Sequence, residues 1–344
     1  MNNSTFIISK DKLKQNINEY ISLGNVYYAV KANSNPIIIN LINECSNNKI
    51  SFLVNNYLQY KKIKNLKINN EKICLTNVLD DDLIKILYKE GVRFFTFDDL
   101  SSIKAFEKYA DTKNVDISIR LSINECFNTF TYMGAETKLT NEILNYVKDK
   151  YRKIGISFYI TEEFKHDEDS LDRMFNFIKN NIDLNYQFIS IGGVLYNEDT
   201  VLSINKIKDY IGEVIIETGT GLLNNVIDLK ISIIKNKLIN NMNIFIIDNG
   251  IYSGFIDKII YNKIFNFYIK DNKNKYPINN DGNKKIFIYG SSCDSKDYIA
   301  SYYVSTELLE MLKERKYIYV ENTGMYFEEF ITRYNYSKFK YEII

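Results

Sequence analysis

Residues 27–33 read YYAVKAN, and they place Lys31 at the end of an apolar run. Valine and tyrosine are frequent in strands, so the stretch NVYYAVK (25–31) predicts a buried strand that ends at this lysine. A buried amine is unfavourable unless another group pairs or reacts with it. The stretch therefore sets the pattern from which the fold is predicted, and it marks Lys31 as a candidate functional residue.

Seven further runs of β-branched or aromatic residues repeat the pattern of this first strand. They are KISFLV (49–54), EKICLTN (71–77), VRFFTFD (92–98), VDISIRLS (115–122), RKIGISFYI (152–160), YQFISIGG (186–193) and GEVIIETG (212–219). Amphipathic stretches such as DDDLIKILYKEG separate them, and strands that alternate with helices pair in parallel through right-handed crossovers. Eight such units in roughly 200 residues predict an α/β fold, a (β/α)8 TIM barrel.

The pattern changes after residue 230, where runs of strand-forming residues follow one another with turn signals between them. Examples are MNIFIIDNGIYSGF, KIIYNKIFNFYIK, KKIFIYGSS and KYIYVENTGMYFEEF. This pattern predicts an antiparallel β domain. The run TFIIS near the start has no helix before it, so we expect it to join that domain. The predicted domains are a barrel over 10–230 and a β-rich domain over 1–9 and 231–344.

Composition narrows the class of function. The 344 residues include 44 Lys+Arg and 43 Asp+Glu, and the net charge of +1 gives no electrostatic reason to bind a nucleic-acid polymer or a membrane. The four cysteines, Cys45, Cys74, Cys126 and Cys293, form no CxxC pair, and His166 is the single histidine. We therefore expect neither a metal site nor a histidine-based triad. The first residues resemble no signal peptide or membrane span, so a cytoplasmic location is expected.

Residues at the carboxyl ends of the predicted barrel strands are candidates for an active site, because TIM-barrel enzymes hold their reactive groups there. These positions supply an amine, an acid, an arginine, two polar side chains and glycine-rich turns: Lys31, Glu217, Arg120, Tyr159, Thr161, Gly192, Gly193 and Gly219. Backbone N–H groups of glycine-rich turns suit a phosphate. An amine beside a phosphate cradle and a carboxylate is what pyridoxal 5'-phosphate (PLP) requires. Each feature alone fits an ordinary turn or a solvated charge, so the hypothesis depends on their combination.

A series of motifs along nearly the whole chain carries a family resemblance. The motifs are YYAVKAN (27–33), FFTFDD (94–99), SIRLSI (118–123), YMGAE (132–136), GISFYI (155–160), SIGGV (190–194), IIETGTG (215–221), DNGIYSGF (248–255), YGSSCDSKD (289–297) and ENTGMYFEEF (321–330). In this order they resemble the fold-type III PLP decarboxylases, the group of the ornithine, diaminopimelate and arginine decarboxylases. The resemblance implies an alanine racemase-like barrel, a C-terminal β domain that includes the N-terminal strand, and PLP as cofactor.

The resemblance also implies a role at the cofactor for each matching residue. Lys31 matches the lysine that forms a Schiff base with PLP, and Ala29, two residues earlier on the same strand face, would pack near the ring. Glu217 matches the acid that pairs with the pyridine nitrogen and so deepens the electron sink. Arg120 would order the surroundings of the cofactor, and Tyr326 matches the tyrosine that hydrogen-bonds the phosphate.

A second set of implied roles concerns catalysis and assembly. Cys293 matches the cysteine that enters the partner subunit's site and acts as general acid toward the carbanion, and Asp294 matches an acid that contacts substrate. The resemblance thus implies a homodimer with shared active sites. The catalytic residues would be Lys31, Glu217 and Cys293.

The chain departs from the family at several site positions. Tyr159 stands where the family has a stacking histidine, and Thr220 stands where it has a phosphate-binding arginine. We therefore expect the phosphate contacts to come from Thr161, Thr220 and backbone amides. Asn262, after Tyr261, stands where the ornithine enzymes have the acid that binds the distal amine. Tyr261 and Asn262 remain candidates for substrate contact, but a substrate with a simple cationic end is not expected.

These departures predict α-decarboxylation of a modified or conjugated amino-acid moiety. The chain resembles the decarboxylase half of the microcin C maturation enzymes, which act on a carboxy-aminopropyl group of a peptidyl nucleotide and leave an aminopropyl group during antibiotic biosynthesis. Two alternatives stay open. One is an amino-acid racemase, which Glu217 disfavours because the racemases place an arginine there. The other is a degenerate PLP-binding regulatory homologue, which Tyr159 and Thr220 favour and the retained Lys31 opposes.

Overall fold

The computed structural model describes residues 4–76, 80–161, 163–164, 166–167, 169–271, 274–332 and 339–344. Contacts between residues divide the chain into two units. One unit is Lys14–Leu222, and the other joins Met1–Leu13 to Leu223–Ile344. The first unit contains the alternating strands and helices, and the second contains the other strands that the structure describes.

Strands and helices alternate through the first unit. They follow β1 (Thr5–Ile8) and α1 (Lys10–Leu23). The strands are β2 (Asn25–Ala29), β3 (Ser51–Val54), β4 (Ile73–Leu75), β5 (Phe94–Phe97), β6 (Asp116–Arg120), β7 (Lys153–Tyr159), β8 (Phe188–Gly192) and β9 (Glu213–Thr218). The helices are α2 (Pro36–Cys45), α3 (Tyr57–Asn65), α4 (Asp81–Lys89), α5 (Leu100–Glu107), α6 (Asn124–Phe127), α7 (Thr137–Val147), α8 (Ser170–Asn181), α9 (Glu198–Ile211) and α10 (Thr220–Leu223).

Within the described residues, β2 to β9 pair in parallel in chain order, and β9 pairs with β2, which closes an eight-stranded barrel. The closing register sets Tyr27 opposite Glu217 and Tyr28 opposite Thr218. Parallel strands that are covered by helices are buried on both faces, and every residue of β5 and β8 is buried. The (β/α)8 barrel that the sequence predicts is confirmed.

Polar side chains determine where several crossover helices begin. Asn35, Asp80 and Asn197 cap α2, α4 and α9 by accepting a backbone N–H from the first turn of each helix. Pro36 occupies the first position of α2, where its missing N–H costs no hydrogen bond. These caps set the length of each strand-to-helix loop, and those loops carry the candidate site. Among the described residues, no helix is long and apolar enough to span a bilayer.

The barrel interior is apolar in its middle and ion-paired at its amino end. The apolar cluster consists of Leu53, Cys74, Phe94, Phe188 and Ile215, and Tyr27 and Ala29 pack against it. Ion pairs join Arg152 to Asp116 at 2.7 Å and Lys153 to Glu213 at 2.7 Å, at the residues where β6, β7 and β9 begin. The packed middle and the paired amino end leave the carboxyl end for chemistry.

The second unit is a mainly antiparallel sheet. Its elements are β10 (Ile227–Ile239), β11 (Met242–Ile247), α11 (Asp257–Ile260), β12 (Phe267–Asp271), β13 (Asn274–Pro277), β14 (Lys284–Tyr289), β15 (Tyr298–Val304), α12 (Thr306–Glu314), β16 (Tyr317–Val320) and β17 (Lys340–Ile343). The strand order is β13-β12-β16-β10-β11-β14-β15, and β1 pairs antiparallel with β10 and parallel with β17. The predicted inclusion of the N-terminal strand in this domain is confirmed. A second parallel pair joins β11 and β14.

Two sequence predictions of local structure were wrong. The first barrel strand, β2, ends at Ala29 rather than at Lys31, and residues Val30–Ala32 form a 3-10 turn. This turn bends the chain toward α2, and it means that Ala29 and Lys31 do not share a strand face. The run KIIYNKIFNFYIK was predicted as strand, but its start belongs to α11, which spans Asp257–Ile260, and β12 begins only at Phe267. Asn262 has a φ of 50°, a left-handed conformation that ends the helix.

Candidate active site

Lys31 lies on a short turn that local hydrogen bonds hold in place. The Tyr28 hydroxyl donates to the Asn33 carbonyl at 2.9 Å, and the Asn33 side chain accepts the Asn35 N–H at 3.0 Å. Val30 and Ala32, on either side of the lysine, are fully buried or nearly so. The turn therefore has two buried anchors, and Lys31 points away from them and is exposed at the carboxyl end of the barrel.

The surroundings of the Lys31 amine favour its neutral form. Its Nζ lies 5.5 Å from the centroid of the Tyr159 ring. Desolvation by the surrounding barrel atoms lowers the pKa of Lys31, the charge of Arg120 lowers it further, and the carboxylate of Glu217 acts in the opposite direction. The side chain is accessible to solvent and yet partly desolvated, which suits an amine that must react.

Glu217 lies on β9 between two strands that carry other candidates. Its register partners are Tyr27 on β2 and Gly192 on β8. Its Oε1 accepts a hydrogen bond of 2.6 Å from the hydroxyl of Ser190. Burial raises the pKa of Glu217, whereas the Ser190 hydrogen bond and the charges of Arg120 and Lys31 act to lower it. The carboxyl group thus lies in a desolvated position near two positive charges.

Glycines allow the backbone to approach closely around these groups. A Cβ on Gly192 would lie 2.8 Å from Cδ2 of Tyr159, and a Cβ on Gly193 would lie 1.9 Å from the Ile160 carbonyl oxygen. Gly193 also has a φ of +81°, which disfavours any side chain. A Cβ on Gly219 would lie 2.7 Å from the Cβ of Ala32. At each of these predicted glycine turns, the backbone therefore lies in close contact with a neighbouring loop.

The remaining barrel candidates lie on the same strand-end loops. Arg120 is the last residue of β6, and Ala29 is the last residue of β2. Thr161 follows Ile160, whose N–H donates to the Gly192 carbonyl at 2.9 Å. Thr220 is the first residue of α10. The structure therefore gathers the predicted barrel residues at one end, as the carboxyl ends of parallel strands require.

Sequence reasoning assigned no role to two further residues of this end. Ser190 is the hydroxyl donor to Glu217. Its place two residues before Gly192, on the same strand face, is visible in the sequence, but its partner on β9 is not. Asp98, directly after β5, accepts the N–H of Gly134 at 3.1 Å, and burial raises the pKa of this carboxyl. The chemistry of Asp98 is visible in the motif FFTFDD, but its partner in a distant loop is not.

Within the second unit, Cys293 and Asp294 lie in the loop after β14. Cys293 is the exposed member of the four cysteines and has a φ of 63°. Asp294 accepts the N–H of Lys296 at 2.9 Å and the hydroxyl of Tyr252 at 2.7 Å, and these hydrogen bonds lower its pKa. Asp294 is thus held as an anion next to the exposed thiol.

A buried aspartate joins this loop to the loop that carries Tyr252. Asp297 accepts the N–H of Ile251 at 2.6 Å through one oxygen and the N–H of Ser292 at 3.1 Å through the other. A Cβ on Gly250 or on Gly290 would lie 2.2 Å from its carboxyl group, so both glycines are needed for this contact.

Three other predicted residues of the second unit have the following positions. Tyr326 has a φ of 60° and stacks on Phe330 with ring centroids 5.6 Å apart. Tyr261 is 68% exposed, and Asn262 after it is exposed. Tyr261 and Asn262 therefore lie at the surface of their unit directly after α11.

Similarity to known proteins extends over most of the chain. The family described as "Pyridoxal-dependent decarboxylase, pyridoxal binding domain" matches residues 10–226, which is more than half of the sequence. The chain belongs to the pyridoxal-dependent decarboxylases. These carboxy-lyases use PLP, so the cofactor predicted from the strand-end residues is confirmed at the level of the family.

Individual decarboxylases are similar to this one in sequence and in fold. A lysine/ornithine decarboxylase of Selenomonas ruminantium is 24% identical over 357 residues, covering 96% of this chain and 86% of the relative. The solved lysine decarboxylase of the same organism matches with a TM-score of 0.77 and 23% identity, covering 99% of this chain and 92% of that one. The arginine decarboxylase of Paramecium bursaria Chlorella virus, bound to agmatine, matches with a TM-score of 0.75 and 17% identity over 100% and 98% of the two chains. The two structural matches show the fold.

The barrel end of this pyridoxal-dependent decarboxylase fits its cofactor. The pKa of the Lys31 amine is lowered, which favours covalent attachment to an aldehyde. The Glu217 carboxyl is desolvated, and the charges near it are those of Arg120 and Lys31, so a pyridine nitrogen would complete its surroundings. Gly192 and Gly219 bring backbone close to this pair. The amine and the carboxyl group thus match an aldehyde and a ring nitrogen.

Proposed function

We propose that this chain catalyses the PLP-dependent α-decarboxylation of an amino-acid moiety, with Lys31 as the covalent anchor. The observation that carries the proposal is the pair of Lys31 and Glu217 at one end of the barrel, one with a lowered pKa and the other desolvated. An acid at the pyridine nitrogen suits decarboxylation because it keeps the ring able to accept electrons. The retained pair also argues against a degenerate homologue.

The side chains of the barrel would divide the work around the cofactor. When bound, PLP would supply the electron sink for the electron pair that the departing carboxylate leaves. Lys31 would hold the cofactor until the substrate amine replaces it, and Glu217 would hold a proton at the pyridine nitrogen. Tyr159 would cover the ring, because its own ring already lies beside the Lys31 amine. Arg120 would keep the pKa of Lys31 low by its charge.

The phosphate contacts would come from neutral groups. Thr220 stands where the family has an arginine, so we assign the phosphate to Thr161, Thr220 and the backbone N–H groups of Gly192, Gly193 and Gly219. Neutral hydrogen bonds are about half as strong as charge-assisted ones. We therefore expect PLP to dissociate more readily from this enzyme than from relatives that retain the arginine.

Cys293 and Asp294 would complete the site of a partner subunit in a homodimer. The exposure of the Cys293 thiol and the hydrogen bonds that hold Asp294 support this role. The thiol of Cys293 would donate a proton to Cα of the substrate after loss of CO2, and Asp294 would contact the substrate.

The substrate would be a modified or conjugated amino-acid moiety. Asn262 supports this, because the neutral amide cannot pair with a distal ammonium group as an acid would. A carboxy-aminopropyl group on a peptidyl nucleotide, as in microcin C maturation, fits these departures, and the product would carry an aminopropyl group. The second candidate is a free basic amino acid, which the names of the lysine/ornithine and arginine decarboxylase relatives favour.

Release of labelled CO2 tests the reaction and the substrate together. The purified enzyme with PLP should release the label from a carboxyl-labelled carboxy-aminopropyl conjugate faster than from lysine, ornithine or arginine. A preference for a free basic amino acid would establish the second candidate instead. Solvent hydrogen exchange at Cα without CO2 would indicate a racemase, and the absence of both reactions with every substrate would indicate a degenerate homologue.

A further inference from the structure

Ser190 makes a partly buried hydrogen bond to the acid of the proposed site. The residue lies on β8 and is 1% exposed, and its hydroxyl is 2.6 Å from Oε1 of Glu217. Glu217 lies on the neighbouring strand β9. In the register of the two strands, Ser190 on β8 lies opposite Ile215 on β9, and Gly192 on β8 lies opposite Glu217 on β9. The hydroxyl therefore reaches diagonally to a carboxyl group two residues further along β9, whose own register partner on β8, Gly192, has no side chain.

Other strands of the barrel also carry hydroxyl groups, and these hydroxyls do not bond Glu217. Ser118 and Thr96 bond each other at 2.8 Å. Ser157 is the register partner of Ser190 on β7, and its buried hydroxyl has no hydrogen-bond partner among the described residues. Ser157 and Ser190 are thus the same residue type at the same level of the barrel, and Ser190 is the one that donates to Glu217.

A desolvated carboxyl group without a fixed hydrogen-bond donor can change in two ways that would weaken its contact with a ring nitrogen. It can take up a proton from its surroundings, and it can change rotamer. A hydroxyl donor favours the ionised form and selects the rotamer that faces it. The Ser190 bond opposes both changes at the position where the pyridine nitrogen of PLP would lie.

We propose that Ser190 is a positioning residue that holds the Glu217 carboxylate ionised and oriented toward the pyridine nitrogen of PLP. This inference rests on the proposed function of Glu217 and deepens it. Ser190 acts through Glu217 and itself needs no contact with cofactor or substrate. The hydroxyl donates one hydrogen bond to one carboxylate oxygen, and the other oxygen stays available to the ring nitrogen.

The test compares Ser190→Ala with Ser157→Ala in the reconstituted protein. We expect the Ser190 variant to raise the PLP dissociation constant about tenfold, as for loss of a hydrogen bond to a charged group. The pH midpoint of the visible absorption of the bound cofactor should move upward, because the Ser190 bond lowers the pKa of Glu217. Ser157→Ala should change neither quantity, and Ser190→Thr, which keeps a hydroxyl, should restore both.

A second background shows whether Ser190 acts through Glu217. In Glu217→Gln, the added change Ser190→Ala should leave the absorption and its pH dependence as they are in Glu217→Gln alone. Equal behaviour of Ser190→Ala and Ser157→Ala, or an undiminished effect in the Glu217→Gln background, would overturn the proposal.

These measurements need no substrate, so they test the role of Ser190 separately from the proposed decarboxylation. Normal Ser190 results in a protein that releases no CO2 from any substrate would sink the proposed reaction and leave the role of Ser190 intact. A wild-type protein that binds no PLP would overturn both.

Discussion

The Lys31 amine illustrates how single residues tune this site. Desolvation by the surrounding barrel atoms and the charge of Arg120 lower its pKa, and Glu217 opposes them. The net direction increases the fraction of neutral amine at a given pH, and the neutral amine is the form that attacks an aldehyde. The position of Lys31 at the barrel end and one neighbouring charge therefore favour the reactive form that the proposed attachment needs.

Replacement of Arg120 should shift this titration. We expect Arg120→Gln to raise the pKa of Lys31, so that the pH midpoint for capture of PLP by the apoprotein moves upward. The measurement is the rate of PLP attachment across a pH series. Arg152→Gln is the control, because Arg152 pairs with Asp116 at the other end of the barrel. An unchanged midpoint in Arg120→Gln would contradict the electrostatic account.

Glu217 should make the stability of the apoprotein depend on pH. Its pKa is raised above the ordinary value of 4.5. The stability that a raised pKa contributes is complete below the unfolded pKa and is lost as the pH rises through the folded pKa. Glu217→Gln cannot ionise, so wild-type apoprotein should lose stability relative to this variant as the pH rises. Urea midpoints over a pH series measure the difference, and a relative gain with rising pH would refute the sign.

Residue identity predicted part of this site. Lys31, Glu217 and Arg120 were identifiable because few charged residues end apolar runs. Ser190 was not, because a serine in a strand carries no signal until its neighbour across the barrel is known. The role of Asp98 likewise depends on the Gly134 N–H in a distant loop.

At the scale of elements, the turn after β8 should tolerate no side chain. Gly193 and Gly212 have similar φ values, +81° and +86°, but a Cβ at Gly212 would meet no atom within 4 Å. Gly212→Ala should therefore cost about 1–3 kcal/mol, the cost of a side chain in a sparsely populated backbone conformation. Gly193→Ala should cost at least about 3 kcal/mol, because the Ile160 carbonyl occupies the space. Equal urea midpoints for the two variants would show that the contact does not form.

The buried Asp297 should hold the Cys293 loop in shape. In Asp297→Ala the N–H groups of Ile251 and Ser292 lose their acceptor, and each unsatisfied buried donor costs about 1–3 kcal/mol. We expect hydrogen exchange at these two amides to accelerate strongly. Asp281→Ala, at an exposed turn of the same unit, is the control and should leave both amides protected. Unchanged exchange in Asp297→Ala would mean that another contact holds the loop.

Element types were predictable where periodicity was clear, and element ends were not. The eight barrel strands lie where apolar runs predicted them, because parallel strands that are buried on both faces consist of nearly continuous apolar residues. The first strand stops at Ala29 because hydrogen bonds of Asn33 and Asn35 begin the turn toward α2. The prediction of a strand over 258–270 was wrong at its start, because α11 is too short to show a helical period.

At the scale of the whole molecule, the proposed shared sites make a mixing experiment decisive. Lys31→Ala and Cys293→Ala should each be inactive alone. In a mixed population, each hybrid dimer would carry one site with both residues intact, so random mixing should restore about a quarter of the wild-type activity. Two inactive variants that stay inactive after exchange of subunits would contradict the proposal that Cys293 serves the partner's site.

The overall architecture was the most predictable feature of the chain. Alternation of strands and helices up to residue 230 and strands thereafter follows from local composition, which needs no knowledge of distant contacts. The substrate is the least predictable feature, because the proposed contacts of Asn262 and Tyr261 do not define one molecule.

The central claim is that Lys31 binds PLP covalently. The most direct measurement is borohydride reduction of the purified protein with PLP, followed by peptide mass spectrometry. The account predicts that the reduced cofactor is found on the peptide that contains Lys31, and that Lys31→Arg abolishes this label. A label on another lysine, or no label in wild-type protein saturated with PLP, would contradict the account.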